Sequence, residues 1–216
     1  GINQIDENEN SLKITNYPNI TRKGKLCMAQ YFYEEKNDIW VTTWNKLYNL
    51  SFLREFHIHF LEHVYHEDIV MHAMLALNTR SFSLTNRTTY LYNCKREDSI
   101  TNIAQGYTLK HLNDLTIVFS EIRRLIQADN NLSKHLQKEI NLYYLFEIYH
   151  RYLPAMYSNI KKVDLIKGLA RLSQNCLPPI LETRLTFKSI KRFLFLKLPF
   201  NIQYLIKSHK YKKSRA

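Results

Sequence analysis

Two adjacent acids, Glu67 and Asp68, are the first residues whose position suggests chemistry, because an amphipathic stretch begins at them. A carboxylate at the start of a helix can act as a general base or bind a cation. The same position suits an acid that only complements the positive end of the helix dipole. Spacing alone leaves both interpretations of the pair open.

Five of the nine histidines fall between residues 57 and 72 and form the second candidate. His57 and His59 alternate, so on a strand they would share one face, as two metal ligands do. Neither a nearby cysteine nor the spacing of His63, His66 and His72 completes a common zinc pattern. We therefore expect this histidine cluster to bind no stoichiometric zinc, and we assign no metal ligand in the sequence.

Lys95 and Arg96 follow the run Tyr90-Leu91-Tyr92 and form the third candidate, a phosphate contact. An arginine on a loop after a strand can bind phosphate through its planar set of donors, although a solvated loop charge has the same sequence signature. Only 4 glycines occur in 216 residues, and neither G-x-G-x-x-G nor G-x-x-x-x-G-K-[ST] is present. Nucleotide chemistry must therefore use charged side chains or lie outside this sequence.

The elements that position these residues change in kind near residue 105. Before it, apolar and aromatic runs predict strands at residues 25–33, within 38–48, and at 57–60, 81–84 and 88–92, with helices at 51–55 and 67–78. After it, apolar residues recur at helical spacing over 109–128, 132–153 and 158–172, and Pro154 is expected to end the second helix. The pattern predicts a mixed α/β to α+β region followed by a mainly helical one.

The formal net charge of +12 comes entirely from the last part of the chain. Residues 1–155 contain 17 Lys+Arg and 17 Asp+Glu, whereas residues 156–216 contain 14 Lys+Arg and two acids. Such asymmetry favours two modules with different partners.

Residues 177–216 combine ten Lys+Arg and one acid with a dense set of apolar residues. Ile190, Phe193 and Leu194 have helical spacing, Pro199 breaks the helix, and residues 201–208 restart it. A broken, basic and amphipathic helix pair is typical of segments that lie on an anionic membrane surface. The alternative is that its apolar side packs on the helical bundle and that residues 209–216 form a solubilising end.

Cysteine usage and hydropathy indicate the cellular compartment. The three cysteines are far apart and form no C-x-x-C pair, which favours a reducing compartment. No apolar run reaches the length of about 18 residues that a membrane span needs, and the first residues carry no signal-peptide pattern. We therefore expect a cytoplasmic protein.

Taken in order, the motif residues resemble those of a known family. They are Trp44-Asn45-Lys46-Leu47-Tyr48, Phe52-Leu53, Ile58-His59-Phe60, Glu67-Asp68-Ile69, Tyr90-Leu91-Tyr92 and Arg96-Glu97-Asp98-Ser99-Ile100. The bacterial family 2 glycosyltransferases, which have the GT-A fold, show W-N-K-L-Y, F-L, I-x-F, E-D-I, Y-x-Y and R-x-x-S-I in the second half of their catalytic domain. Residues 25–105 are similar to that half.

The resemblance implies a reaction and a catalytic base. The reaction is the inverting transfer of a sugar from a nucleotide-sugar donor to a saccharide or lipid-linked acceptor, in bacterial surface polysaccharide or lipooligosaccharide synthesis. Asp68 matches the family's base, which deprotonates the acceptor hydroxyl. Glu67 would position the acceptor or orient Asp68.

The resemblance also implies residues around the base. Trp44 and Lys46 match residues that line the wall of the site. The family places an arginine directly after the second tyrosine of Y-x-Y, where this chain has Asn93, and this chain has one extra residue before Arg96. Lys95 and Arg96 therefore both remain candidates for contact with the donor diphosphate.

Half of such an enzyme is missing from this sequence. Family members begin with a strand-helix-strand half that binds the nucleotide and ends in an Asp-x-Asp motif for a divalent metal, Mg²⁺ or Mn²⁺. No such motif occurs here, because Asp6, Glu7 and Glu9 belong to a polar stretch over residues 1–10.

The resemblance therefore predicts a C-terminal portion in three parts. These are half a GT-A domain over residues 1–105, a helical bundle over 106–176 and a basic amphipathic tail over 177–216. On its own the chain is expected to show no catalytic turnover. The tail would hold it at the inner face of the membrane.

A non-enzymatic helical module that binds a membrane or a partner through its basic tail is the alternative from another class. Nucleic acid is the weaker partner, because the sequence has no helix-turn-helix, zinc-finger or RNP motif. An Asp-x-Asp motif at the end of a strand upstream of Gly1 would favour the enzyme, whereas a start codon directly before Gly1 would favour the module.

Overall fold

Short strands and long helices occupy different parts of the chain, as the sequence predicts. The computed structural model describes residues 1–6, 8–94 and 107–213, with side chains described as far as Lys207. The chain divides into two units, Gly1–Gln105 and Gly106–Ala216. With 54% helix and sheets of two and three strands, the protein is mixed α/β and consistent with an α+β class, but it does not show the GT-A fold.

Five short strands form two sheets in the described part of the first unit. They are β1 (Ile2–Ile5), β2 (Ser11–Thr15), β3 (Ile20–Lys23), β4 (Ser81–Leu84) and β5 (Tyr90–Asn93). β1 is the central strand of the larger sheet, antiparallel to β2 and parallel to β5, with Ile2 opposite Tyr90. β3 and β4 pair as an antiparallel ribbon. The strands predicted at 81–84 and 88–92 are therefore confirmed as β4 and β5.

No strand is predicted from the sequence at β1, although this strand is central. Only Ile2 and Ile5 of its four residues are apolar, which is too few to show an alternating pattern. Pairing on both sides, and burial of both isoleucines, stabilise the strand instead. Asp6, directly after β1, stabilises a polar turn, since its carboxylate accepts hydrogen bonds from the backbone N–H groups of Asn8 and Asn10, both at 2.9 Å.

Three helical segments complete the described part of the first unit. They are α1 (Cys27–Ala29), which continues as a π-helical turn over Gln30–Glu34, α2 (Leu50–Glu55) and α3 (Glu67–Asn78). The Asn49 side chain caps α2 by accepting hydrogen bonds from the backbone N–H groups of Ser51 and Phe52. Every residue of α3 from Ile69 to Leu77 is buried, and α3 packs on α1. Both predicted helices are confirmed, α3 with the predicted bounds.

Three predicted strands are wrong. Residues 25–33 are largely buried as expected, but they are helical, because their run of apolar and aromatic residues contains no β-branched side chain and fits a buried helix equally well. Residues 38–48 form a loop without a strand. Residues 57–60 follow α2 without forming a strand, because His57 has a left-handed φ of 50° and turns the chain. Only Ile58 among them is buried.

Five α-helices form the described part of the second unit. They are α4 (Leu109–Ala128), α5 (Lys134–Met156), α6 (Lys162–Asn175), α7 (Phe187–Lys197) and α8 (Phe200–Lys213), with a 3₁₀ turn at Ile180–Glu182. α4 packs on α6, and α5 packs on α7. The core contains fully buried apolar side chains from four of these helices, among them Leu112, Leu115, Phe119, Leu145, Ile148, Leu169, Leu172 and Leu196. α4 has the predicted bounds, and the helix pair divided at Pro199 is confirmed.

Pro154 does not end α5, contrary to the prediction. Proline has no backbone N–H and usually breaks a helix interior. Here the next two residues, Ala155 and Met156, are both buried, and their burial stabilises the last turn. The helix ends at Met156, and the Tyr157 N–H then bonds to the Pro154 carbonyl at 3.1 Å.

Gly168 lets α6 approach α4 closely. A Cβ atom at this position would lie 2.5 Å from Cδ2 and 3.0 Å from Cγ of Leu112, which is fully buried. Replacing Gly168 with Val is therefore expected to lower the free energy of unfolding by about 1–3 kcal/mol, the usual cost of overpacking a core. Urea unfolding of the chain measures this loss. Lys167→Val, at an exposed position of the same helix, is the control; an equal loss there would show that β-branching, not overpacking, is responsible.

Candidate functional site

An aromatic cluster of Trp40, Trp44, Tyr90 and Tyr92 lies in the first unit. Trp44 stacks on both tyrosines, with ring centroids 4.3 Å from Tyr90 and 5.0 Å from Tyr92 and 23° between the planes in each pair. The two tyrosines are two residues apart on β5, so they face the same side of the sheet. Trp40 meets Trp44 and Tyr92 edge-on, at 5.5 and 6.0 Å. All four rings are only partly buried, so the cluster offers aromatic surface to a ligand.

Lys46 holds the loop that carries Trp44. Its ammonium group donates hydrogen bonds to the Trp40 carbonyl at 2.6 Å, to the Asn45 side-chain oxygen at 3.1 Å and to the Thr42 carbonyl. Between Trp44 and Lys46, Asn45 adopts a left-handed φ of 67°. The lysine that the resemblance assigns to the site wall therefore fixes the backbone on which the tryptophan sits.

The acid pair lies in the first turn of α3, where Glu67 and Asp68 are both partly buried. Burial lowers the pKa of Lys46 to about 8, and the negative charge of Asp68 opposes that shift. Asp68 therefore lies within electrostatic range of the Lys46 ammonium group. Of the residues predicted for the site, Lys46 and Asp68 therefore influence each other although α2 separates the loop from α3 in sequence, and Trp44 lies on the same loop two residues before Lys46.

His72 lies one helical turn after Asp68 and is 1% exposed. Its ring packs edge-on against Phe32, with centroids 4.6 Å apart, and neither ring nitrogen has a hydrogen-bond partner in the described part of the chain. Burial, and secondly the charge of Lys46, lower the pKa of His72 to about 3. The imidazole is therefore neutral at physiological pH. The sequence signal that separates His72 from the other histidines of the cluster is its position inside the apolar run over residues 69–77, which has helical spacing.

The remaining predicted residues have different outcomes. Lys95 and Arg96 lie outside the described residues, so their contact with a diphosphate stays a prediction. His57, His59 and His63 are exposed, and the strand that would have aligned the first two is absent. Over residues 1–6, 8–94 and 107–213, no three His, Cys, Asp or Glu side chains come close enough to hold a metal ion.

A cavity of about 1000 Å³ opens in the first unit beside Lys46. Its apolar wall includes Met28, Ile39, Phe52, Leu75 and Phe82, and its polar groups include Tyr17, Asn45, Tyr48 and Arg80. The motif Trp44-Asn45-Lys46-Leu47-Tyr48 pointed to part of this lining. Arg80 was not predicted, because a single arginine between a helix and a strand has no local signature.

Left-handed backbone is concentrated in this unit. Seven non-glycine residues of the described chain have positive φ, and all precede residue 67. Asn45 stands between Trp44 and Lys46, and His66 directly precedes Glu67. Such conformations cost about 1 kcal/mol or more each and persist where the surroundings impose them, often at functional sites. Both segments that present the candidate residues therefore carry this strain.

Comparison with protein-family models, with curated proteins and with solved structures found no match to this chain. The resemblance to family 2 glycosyltransferases therefore rests on the ordered motif residues.

Proposed function

We propose that this chain supplies the acceptor side of an inverting glycosyltransferase. The enzyme moves a sugar from a nucleotide-sugar donor to a saccharide or lipid-linked acceptor of a bacterial surface glycan. The observation that carries the proposal is the convergence of motif residues that are distant in sequence. Trp44 stacks on Tyr90 and Tyr92, and Asp68 lies within electrostatic range of Lys46.

The aromatic cluster suits an acceptor sugar. The C–H groups on one face of a pyranose ring form an apolar surface that stacks on an aromatic plane, while its hydroxyls remain free for hydrogen bonds. Trp44 and Tyr90 are partly exposed and held rigid by their mutual stacking. The proposal requires that a sugar on this surface reach the Asp68 carboxylate on the first turn of α3.

Asp68 is the base in the proposed transfer. Its carboxylate takes the proton from the acceptor hydroxyl as that oxygen attacks the anomeric carbon of the donor. The new carbon–oxygen bond forms as the bond from the anomeric carbon to the diphosphate breaks, and the nucleoside diphosphate leaves with the electron pair. The negative charge of Asp68 favours the charged form of Lys46, against the effect of burial.

The described residues contain no group of three His, Cys, Asp or Glu side chains that could hold the donor's divalent metal, and the resemblance places the metal motif in the half that this sequence lacks. No step above is therefore assigned to a metal. On this proposal the nucleotide-binding half lies outside these 216 residues, so turnover is tested on the product of the complete coding sequence that contains them.

Acceptor binding is tested on the 216-residue chain itself. Trp40 and Trp44 are its only tryptophans, and both lie in the aromatic cluster, so intrinsic fluorescence reports on the site. We expect a saturable change in emission with at least one member of a panel of hexoses, N-acetylhexosamines and short oligosaccharides. A panel in which nothing binds contradicts the proposed acceptor site.

Trp44→Ala is expected to weaken the binding of that saccharide by about 10-fold, because a lost aromatic contact contributes about 1 kcal/mol or somewhat more. Isothermal titration calorimetry measures the change without relying on the removed fluorophore. Phe60→Ala is the matched control, since Phe60 is a 45% exposed aromatic residue of the same unit outside the cluster. Equal affinities of the two variants would exclude the cluster as the binding surface.

A further inference from the structure

The outer face of α7 is apolar and exposed. Phe187, Ile190 and Leu194 follow one another at spacings of three and four residues, so they form one stripe along the helix. They are 81, 41 and 58% exposed. On the inner side, Ser189, Phe195 and Leu196 are buried. α7 therefore presents apolar residues both to the core and to solvent.

α8 is inverted relative to an ordinary surface helix. Its polar Gln203 is 1% exposed, whereas Ile202, Leu205 and Ile206 are 45, 69 and 45% exposed. The Gln203 amide donates a hydrogen bond to the Phe195 carbonyl at 2.9 Å, and its side-chain oxygen accepts one from the Tyr152 hydroxyl at 2.6 Å. These two bonds hold the polar side chain inward, so the apolar side of α8 faces outward.

Contacts with α5 fix this orientation. The Arg192 guanidinium lies 3.9 Å above the Phe146 ring, and the Lys207 ammonium lies 5.0 Å above the ring of Tyr149 and hydrogen-bonds its hydroxyl. The alternative interpretation is that the apolar side of the tail packs on the bundle. Such packing explains the burial of Phe195 and Leu196. It leaves the outer stripes of α7 and α8 uncovered by the described residues.

The segment that leads into α7 is also anchored on α5. The Arg184 side chain pairs with Glu139 of α5 at 3.1 Å, and the Glu139 side chain is only 2% exposed. The Asn141 amide of α5 donates to the Glu182 carbonyl at 2.8 Å. The exposed apolar faces therefore belong to helices that are docked on the unit.

Charge indicates what covers these faces. Lys188, Lys191 and Lys197 of α7 are exposed and flank its apolar stripe, and residues 177–216 contain ten Lys+Arg against one acid. A second copy of the chain would bring like charges together, whereas an anionic lipid surface offers both negative headgroups and an apolar layer. No helix in the described part of the chain is long and apolar enough to cross a bilayer.

We propose that α7 and α8 bind an anionic membrane surface. Their outer apolar residues enter the boundary of the acyl chains, and the flanking lysines contact the headgroups. The proposal rests on the second unit alone, so it stands or fails independently of the proposed glycosyl transfer.

Sedimentation with vesicles tests the proposal on the full 216-residue chain. We expect it to bind vesicles of phosphatidylglycerol and phosphatidylcholine at low salt, to bind them more weakly at high salt, and not to bind vesicles of phosphatidylcholine alone. Lys188→Gln/Lys191→Gln/Lys197→Gln is expected to weaken binding and reduce its salt dependence. Absence of binding to the anionic vesicles, or equal binding to both vesicle types, would overturn the proposal.

The apolar contribution is tested with Leu194→Gln/Leu205→Gln, which replaces two exposed side chains. This variant is expected to bind anionic vesicles at least about 10-fold more weakly, because burial of one leucine alone contributes about that factor. Leu12→Gln/Ile117→Gln, at positions that are 47 and 49% exposed elsewhere, is the control. Circular dichroism and urea unfolding verify that both variants fold.

Two outcomes of this experiment contradict the proposal. One is equal vesicle binding by Leu194→Gln/Leu205→Gln and by its control. That result would leave only a non-specific charge effect. The other is a concentration-dependent dimer in light scattering that Leu194→Gln/Leu205→Gln abolishes while vesicle binding is unchanged. That result would assign the apolar faces to a second copy of the chain.

Discussion

Asp68→Asn is expected to lower the rate of glycosyl transfer by about 100-fold or more, since a positioned general base contributes about that factor. Asparagine keeps the shape of the side chain but cannot accept the proton of the acceptor hydroxyl. The loss is therefore expected in kcat, with the KM for the nucleotide-sugar little changed. The assay measures nucleoside diphosphate release by the product of the complete coding sequence that contains this chain.

Glu67→Gln is the matched comparison, because it removes one charge from the same helical turn. If the pair only complements the helix dipole, the two substitutions should have equal and small effects, about 0.3–1 kcal/mol in stability and nothing specific in rate. If Asp68 is the base, its substitution lowers turnover much more than that of Glu67. Near-full transfer activity in Asp68→Asn would refute the assignment.

The same assay separates the two classes of function. A product of the complete coding sequence that consumes no nucleotide-sugar, combined with vesicle binding through α7 and α8, would define a non-enzymatic membrane-binding module. Transfer that depends on Asp68, with or without vesicle binding, would define the enzyme.

The elements that could be predicted from the sequence are those whose own residues determine them. α3 and α4 have the predicted bounds because their apolar residues recur at helical spacing. The side chain of Thr108 also caps α4 by accepting from the His111 N–H. In both helices the local pattern and the tertiary burial agree.

The elements that could not be predicted depend on distant partners. β1 is a strand because β2 and β5 pair with it on either side. Residues 25–33 contain a buried apolar run, and such a run does not distinguish a buried strand from a buried helix. α7 has apolar residues on both its inner and its outer face, so the sequence could not tell which of them would remain exposed.

The candidate site could be predicted only as a set of residues. The ordered motifs identified Trp44, Lys46 and Asp68 as site residues. The stacking of Trp44 on Tyr90, however, depends on the pairing of β5 with β1. His72 was grouped with the exposed histidines because they are close in sequence. Its position in the part of α3 that is buried all round gives it a different environment.

Acidification is expected to destabilise the chain through His72. The unfolded imidazole takes up a proton below its ordinary pKa of 6.5, whereas burial and the nearby charge of Lys46 lower the folded pKa to about 3. The contribution of the neutral His72 ring to the free energy of unfolding is therefore fully present above pH 6.5. It is lost as the pH falls toward 3, because only the unfolded chain binds the proton in this range. The loss approaches about 1.4 kcal/mol for each pH unit.

Urea unfolding between pH 7.5 and 5 measures this effect with little interference from carboxylates, which titrate mainly at lower pH. Wild type is expected to lose about 1–2 kcal/mol more than His72→Leu between pH 6.5 and 5. Met71→Leu, which replaces a buried neighbour of His72 and changes no titratable group, should retain the wild-type pH dependence. If His72→Leu does not fold, NMR of the wild-type chain provides the same test, because the His72 ring signals should not titrate above pH 5. A His72 ring that titrates near pH 6.5, or identical pH dependence in wild type and His72→Leu, would show that this imidazole is not sequestered in the core.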